Sequence, residues 1–419
     1  TTGPIKQTAA NTKFTFTSGT TTINSEYTSD DRMFELTNGK AYNADGRITL
    51  TGNFTSCIQW TGPSGDTGPH NLRINAASLT VKPRNALNVE GYMNIDEGTF
   101  NTQYDGSDKN LTVLGGNLSV SGTLLLNNST VLISDTSSAL SVSNIGTVTC
   151  ADTNLTVNAL SLGQGPFTAP SALGSFIITG EKDNLAFDYD GNQFIHNSGT
   201  IQIKTATTTK IDFTPNNDST DINNVTIDHA SCVAEWTHPC TIAGDLLIKQ
   251  GTIKSDDGDE AFTVEGDVTV GDGTGSANTA VLGRADDTAA MTFKSLTIES
   301  DGKYIATSGT TTISGTGHCF TDKGTFTHNS GKVEFTGTGG NAYMGNSSTQ
   351  ETVFYDLFPE VEAGYILANY KTITVERELH INSGRIFKIN CGNGNNSLKL
   401  GTSSTAGEIH QDGGGFQFQ

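Results

Sequence analysis

One phrase occurs twice in this chain. "FIHNSGTIQI" at 194–203 returns as "FTHNSGKVEF" at 326–335. Repetition at a distance is the most constraining feature a sequence can offer, because repeated units stack and share one core. The phrase opens onto three modules. Each has an apolar residue closing a strand (Ile23, Ile178, Ile313), then a phenylalanine (Phe34, Phe187, Phe320), then a glycine turn (Gly46, Gly199, Gly331). The spacing from phenylalanine to glycine is 12, 12 and 11 residues. A second pattern aligns without gaps: Val89, Met93, Ile95, Gly98, Phe100; Ile242, Leu246, Ile248, Gly251, Ile253; Val375, Leu379, Ile381, Gly384, Ile386. These matches divide the chain into modules at 1–170, 171–300 and 301–419, the third incomplete.

Within the modules apolar residues alternate with Thr, Ser, Asn or Lys, as in "GRITLTG", "NLSVSGTLLL" and "TVEGDVTVGDG". A period of two predicts short strands with one buried face. Thr, Val and Ile suit a pleated surface, and Gly, Asn, Asp and Ser supply the turns. No stretch carries a capped helical stripe. With 48 Gly, 34% hydrophobic and 16% charged residues, the core is thin along the whole chain. The expected fold is all-β, a parallel β-helix or β-solenoid of three related modules, with Gly and Asn giving φ > 0 at the corners. Tandem antiparallel β-sandwiches are the alternative.

A net charge of −20 disfavours nucleic acid and anionic membrane as partners. No apolar run reaches the ~18–20 residues of a membrane helix, which argues against membrane insertion. The opening "TTGPIKQ" has neither a methionine nor a visible signal peptide, which fits a processed product or a fragment. Six cysteines show no zinc-type spacing. Cys232 and Cys240 bracket "VAEWTHP" and are candidates for a disulfide; two buried thiols are the alternative.

Candidate chemistry is sparse. Asp188, Asp190, Asp256, Asp257, Asp259, Glu260, Asp286 and Asp287 offer the carboxylates a polysaccharide lyase or hydrolase needs, but all sit in Gly-flanked turns, where acids serve their own backbone. "SDDGDE" and "YDGSD" (104–108) miss the calcium-loop pattern, so no cofactor is expected and structural calcium is a minor alternative. His196 and His328 share one place in two modules, which suggests a polar role beside the turn. Aromatic rings stack on sugars, and Trp60, Trp236 and Tyr343 are placed in or beside loops, making them the carbohydrate-binding candidates. Insertions at 61–71, 214–221 and 340–350 fall at corresponding places and are the expected binding loops. Asn-x-Ser/Thr sequons such as Asn53, Asn117, Asn154 and Asn224 follow from composition.

"FTHNSGKVEFTGTG…FYDL…TITVERELHINSGRI" resembles the glycine- and threonine-rich repeats of bacterial extracellular proteins and of virion structural proteins of tailed phages. About two thirds of the chain resembles them. Module one resembles them less well, since "AYNADGR" replaces "HNSG". The resemblance implies a β-solenoid on a virion exterior or cell surface: a non-enzymatic structural or adhesive fibre, spacer or decoration. Its partners would be other virion or surface proteins, further copies of itself, and a cell-surface glycan. The competing expectation is a tailspike-like, polysaccharide-degrading or carbohydrate-binding β-helix. The terminal "GGGFQFQ" alternates without a charged cap and is expected to pair with a neighbouring coil or subunit.

Overall fold

The computed structural model describes residues 3–7, 13–16, 18–26, 31–37, 40–43, 46–61, 68–189, 194–212, 222–258, 260–345, 351–362, 364–369, 372–389, 397–403 and 405–418. Among these there is no helix. The chain divides into two compact units, 1–202 with 214–220, and 203–213 with 221–419. Each is a parallel β-solenoid.

In the first unit three strands make one turn, and each strand then repeats above itself. Leu87–Val89, Met93–Ile95 and Thr99–Asn101 form one coil; Leu111–Val113, Leu118–Val120 and Thr123–Asn127 form the next. The coils are in parallel register, Leu87 on Leu111, Met93 on Leu118 and Phe100 on Leu124. Coil length is not constant. Along one column the register passes from Leu72 to Met93, Leu118, Leu140, Leu160 and Phe187, steps of 21, 25, 22, 20 and 27 residues. Alternation puts every second residue inside: Leu118, Val120, Leu140, Phe167 and Phe176 are fully or almost fully buried. Among the described residues of this unit, antiparallel pairing occurs at the isolated Lys182–Leu185 bridge and in the hairpin Gln103–Tyr104 with Ser107–Asp108. Its Asp105-Gly106 turn has φ of 51° and 71°, so the acids of "YDGSD" make a tight turn.

The second unit also has three columns, but several strands run round a corner. Asn224–Trp236 pairs with Leu246–Ser255 through two irregularities, so one strand serves two faces. A spine of aromatic rings runs through the interior: Trp236 stacks on Phe262 at 4.4 Å, Phe293 meets Tyr304 edge-on at 5.8 Å, Tyr304 stacks on Phe326 at 5.9 Å, and Phe326 leans on Phe354 at 5.3 Å. Parallel ladders throughout both units rule out the antiparallel sandwich alternative, whose strands are joined by hairpins.

The repeated phrase has a structural meaning that differs from the expectation in one respect. In "HNSG" the left-handed residues are Asn197 and Ser198 (φ 49° and 57°) and Asn329 and Ser330 (φ 46° and 57°). The glycines that follow do not occupy that region. A Cβ on Gly331 would instead lie well under 3.0 Å from Thr307 O and at 2.9 Å from Gly309 O, in the coil beneath. Gly199 meets the Pro170 carbonyl in the same way. Glycine is therefore required for coil-to-coil approach. The second pattern does use glycine for backbone freedom: Gly98, Gly251 and Gly384 have φ of 76°, 93° and 76°. It slips at its last position, where Phe387 is buried and Ile386 is half-buried, unlike Phe100 and Ile253.

Corner asparagines tie coil to coil. The Oδ1 atoms of Asn71, Asn117, Asn224 and Asn341 accept from the backbone N–H of Tyr92, Ala139, Asp245 and Tyr365, each about one coil on. Asn158, 5% exposed, donates to the carbonyls of Thr136, Ser138 and Glu181. The asparagine richness thus satisfies backbone groups at the corners, and the sequon residues Asn117 and Asn224 are engaged in it.

Candidate functional site

Two of the three aromatic candidates are interior. Trp60 is 9% exposed and stacks on Phe34 with centroids 5.1 Å apart. Trp236 is fully buried, lies flat on Phe262, and donates from Nε1 to Glu260 O at 3.2 Å. Strand alternation is the reason: Cys232, Ala234 and Trp236 share the inward face of Asn224–Trp236. Neither tryptophan presents a ring to a sugar. Tyr343 is half-buried, on the strand Ala342–Gly345, with its ring 5.3 Å from His318. Of the expected binding loops, residues 62–67, 214–221 and 346–350 lie outside the described residues.

The proposed disulfide is absent. Cys232 and Cys240 are both buried thiols. Between them the chain turns a corner: Cys232 precedes the column in which Val233–Trp236 lies on Thr252–Ser255, while Cys240 lies on Phe262 in the next. Cys232 Sγ is instead 3.2 Å from Thr205 Oγ1.

The histidines of "HNSG" serve the turn. His196 Nδ1 and His328 Nδ1 each accept from the backbone N–H of Ser198 and Ser330 at 2.9 Å. His229 does the same for Ser231 at 3.2 Å. His238 is exposed, its Nδ1 3.1 Å from Thr237 Oγ1.

The acids fall into separate settings. Asp188 accepts from Ser161 Oγ at 3.2 Å and lines a cavity of about 80 Å³ with Lys182 and Asp183. Asp190 and Asp259 lie outside the described residues. Asp256 is bound by Lys210 Nζ at 3.0 Å, and Arg284 holds Asp286 in a two-point pair at 2.5 and 2.6 Å. Asp256, Asp257 and Glu260 come together, and burial followed by the Asp257 carboxylate raises the Glu260 pKa. Asp287 is fully buried, accepts from Ser255 Oγ and Ala289 N–H, and is pushed up to about 6 by burial. A separate depression of about 280 Å³ is lined by Asp31, Lys82, Tyr104 and Asp105.

A further constellation escaped sequence reasoning. On the outward face of the second unit, Phe358, His380 and His410 stack in a column, with centroids 4.8 and 4.7 Å apart and planes within 2° and 9°. The strands Thr372–Ile381 and Glu408–Gln411 pair in parallel, Glu378 on Glu408 and His380 on His410. His380 Nδ1 is 2.7 Å from Glu378 Oε1, and His380 Nε2 is 3.0 Å from Asn382 Oδ1. Burial lowers the His380 pKa, but these two hydrogen bonds together with the negative charges of Glu378 and Asp412 outweigh it and leave it raised. Asp412 approaches both rings, at 3.1 Å from His410 Nε2 and 3.7 Å from His380 Nε2. The signal was present: "ELHI" at 378–381 and "EIHQ" at 408–411 repeat Glu-x-His at a period of two.

The fold defines the class, a parallel β-solenoid. Beyond that class, no family model, no curated protein and no solved structure matches this chain.

Proposed function

We propose that the chain is a non-enzymatic structural or adhesive protein on the exterior of a phage virion or a cell, serving as an elongated fibre, spacer or decoration. One observation carries the reading. Most of the described carboxylates that chemistry would need already have structural partners: Asp188 with Ser161, Asp256 with Lys210, Asp286 with Arg284, Asp287 with Ser255. Surface apolar residues support assembly with further copies or with other surface proteins. Ile409 is 40% and Leu400 36% exposed, on strands that lie over Thr372–Ile381. The terminal strand Gly415–Phe418 pairs with Ile386–Ile389, Phe416 stacking on Phe387 at 6.0 Å.

A second reading, a polysaccharide-degrading or carbohydrate-binding β-helix, is favoured by the depression at Asp31, Lys82, Tyr104 and Asp105. It combines two acids, a base and an aromatic ring, and its volume of about 280 Å³ lies near the lower end for small-molecule sites. The test is to incubate the purified chain with a panel of acidic and neutral polysaccharides. Released reducing ends and viscosity are followed, and native particles are labelled with an antibody to the first unit. Surface label with no depolymerisation supports the structural reading. Depolymerisation lost in Asp31→Asn and Asp105→Asn establishes the enzyme, and label confined to the interior removes both.

A further inference from the structure

We propose that His380 and His410, with Glu378 and the adjacent Asp412, form a binding site for a divalent transition-metal ion of the zinc class, clamping two successive coils together.

The argument starts from register. Two parallel strands carrying Glu-x-His place like on like, Glu378 beside Glu408 and His380 beside His410. Carboxylates directly opposite on paired strands repel. Asp412 adds a third negative group to the same patch. The cationic side chains of this region are engaged elsewhere: Arg377 with Asp356, Arg385 with Glu360 and Glu362, Lys399 with Glu351. A divalent cation would offset the excess charge of the patch.

Geometry narrows the ion. One ligand atom each from Glu378, His380 and His410 lies within 4.8 Å of the others. Donors around a tetrahedral ion with bonds of ~2.0–2.2 Å are separated by about 3.4 Å. Rotation of the exposed His410 and of the half-buried Glu378 about χ1 and χ2 would close that gap and turn the two stacked rings out of parallel, so that both nitrogens face one ion. Two imidazoles with carboxylates suit zinc and its neighbours, whereas calcium takes six to eight oxygens and soft copper(I) prefers sulfur. Glu378 and Asp412 flank the rings from two sides. One completes the ligand set, and the other fixes the ring it touches, as an outer carboxylate does for a metal-bound histidine. The clamp has a purpose in the fold. All four residues of Glu408–Gln411 are exposed, so this strand has little burial to hold it against Thr372–Ile381.

The test is calorimetric titration of the untagged chain with Zn²⁺ alone, repeated with Ca²⁺. Alongside it, hydrogen exchange across 372–381 and 408–411 is followed with and without Zn²⁺. Saturable binding of one Zn²⁺ per chain is expected, with slowed exchange in both strands and no comparable response to Ca²⁺. His410→Ala, at an exposed position that leaves the core intact, weakens binding about tenfold or more, and His380→Ala with His410→Ala removes it. Absence of saturable Zn²⁺ binding overturns the proposal. So does binding unchanged in the double variant, which would assign the ion to other histidines.

Discussion

Replacing Gly331 by alanine separates two explanations of the repeated turn. If backbone conformation were all that mattered here, alanine would cost little, because φ at this residue is outside the left-handed region while Asn329 and Ser330 occupy it. If the glycine supplies clearance, the new Cβ meets the Thr307 and Gly309 carbonyls of the coil beneath. Those are backbone atoms and cannot swing aside. Relief requires lifting Lys332–Phe335 from Thr310–Ile313 and weakening the 2.9 Å bond from Lys332 N–H to Gly309 O. Overpacking of this kind costs about 1–3 kcal/mol, and the impaired hydrogen bond about 1 more, giving roughly 2–4 kcal/mol. Ser330→Gly is the control. It removes a left-handed penalty of about 1 kcal/mol and adds a similar entropic cost, so its net effect is within about 0.5 kcal/mol.

The assay is urea unfolding by far-ultraviolet circular dichroism, with hydrogen exchange to localise the loss. Exchange is needed because stacked coils can open locally rather than all at once. Gly331→Ala should speed exchange across 307–313 and 332–335, and Ser330→Gly should leave it unchanged. An alanine variant within about 0.5 kcal/mol of the parent would refute the clearance argument, as would a glycine variant less stable than the alanine one.

Two other outcomes follow from buried groups. Asp322 is 1% exposed, accepts from Thr352 Oγ1 at 2.8 Å, and is pushed up to about 6 by burial. A carboxyl whose folded pKa exceeds its unfolded one stabilises the fold fully below the unfolded value and loses that contribution as pH rises through about 6. The gap from 3.8 corresponds to ~3 kcal/mol. Asp322→Asn should therefore flatten the dependence of stability on pH between about 4 and 7, and an unchanged slope would contradict the burial argument. The tryptophans should behave as core residues: iodide quenches Trp60 and Trp236 weakly, and Trp236→Ala costs about 3–5 kcal/mol by leaving a cavity under Phe262. Strong quenching of either ring in the folded protein would place it at the surface instead.

Reading the sequence for period reached the fold because period is what a parallel ladder imposes. Ile23, Ile178 and Ile313 are all fully buried at strand ends, and Phe34, Phe187 and Phe320 lie within the core, as their shared spacing required. Direction was harder to read than period. Trp60 and Trp236 stand next to loops in the sequence, yet alternation counted from Ile58 and Ala234 turns both inward. Cys232 and Cys240 are eight positions apart, but a corner lies between them, and sequence distance does not measure the angle of a corner.

The Glu-x-His column was missed for a related reason. A site in an enzyme gathers unlike residues from distant segments, so unlike residues are what a search for chemistry looks for. A solenoid gathers like residues, because parallel register sets each side chain on its counterpart one coil away. In such a fold a single histidine says little and a column says much. The useful unit of reading is the pair of strands, "ELHI" over "EIHQ", whose two weak ligand sets become one when stacked. The same register that makes Glu378 and Glu408 repel sets His380 and His410 face to face. Removing the repulsion by Glu408→Gln should then raise the stability of the strand pair without metal while lowering the gain that Zn²⁺ brings, a coupling that two independent effects would not produce.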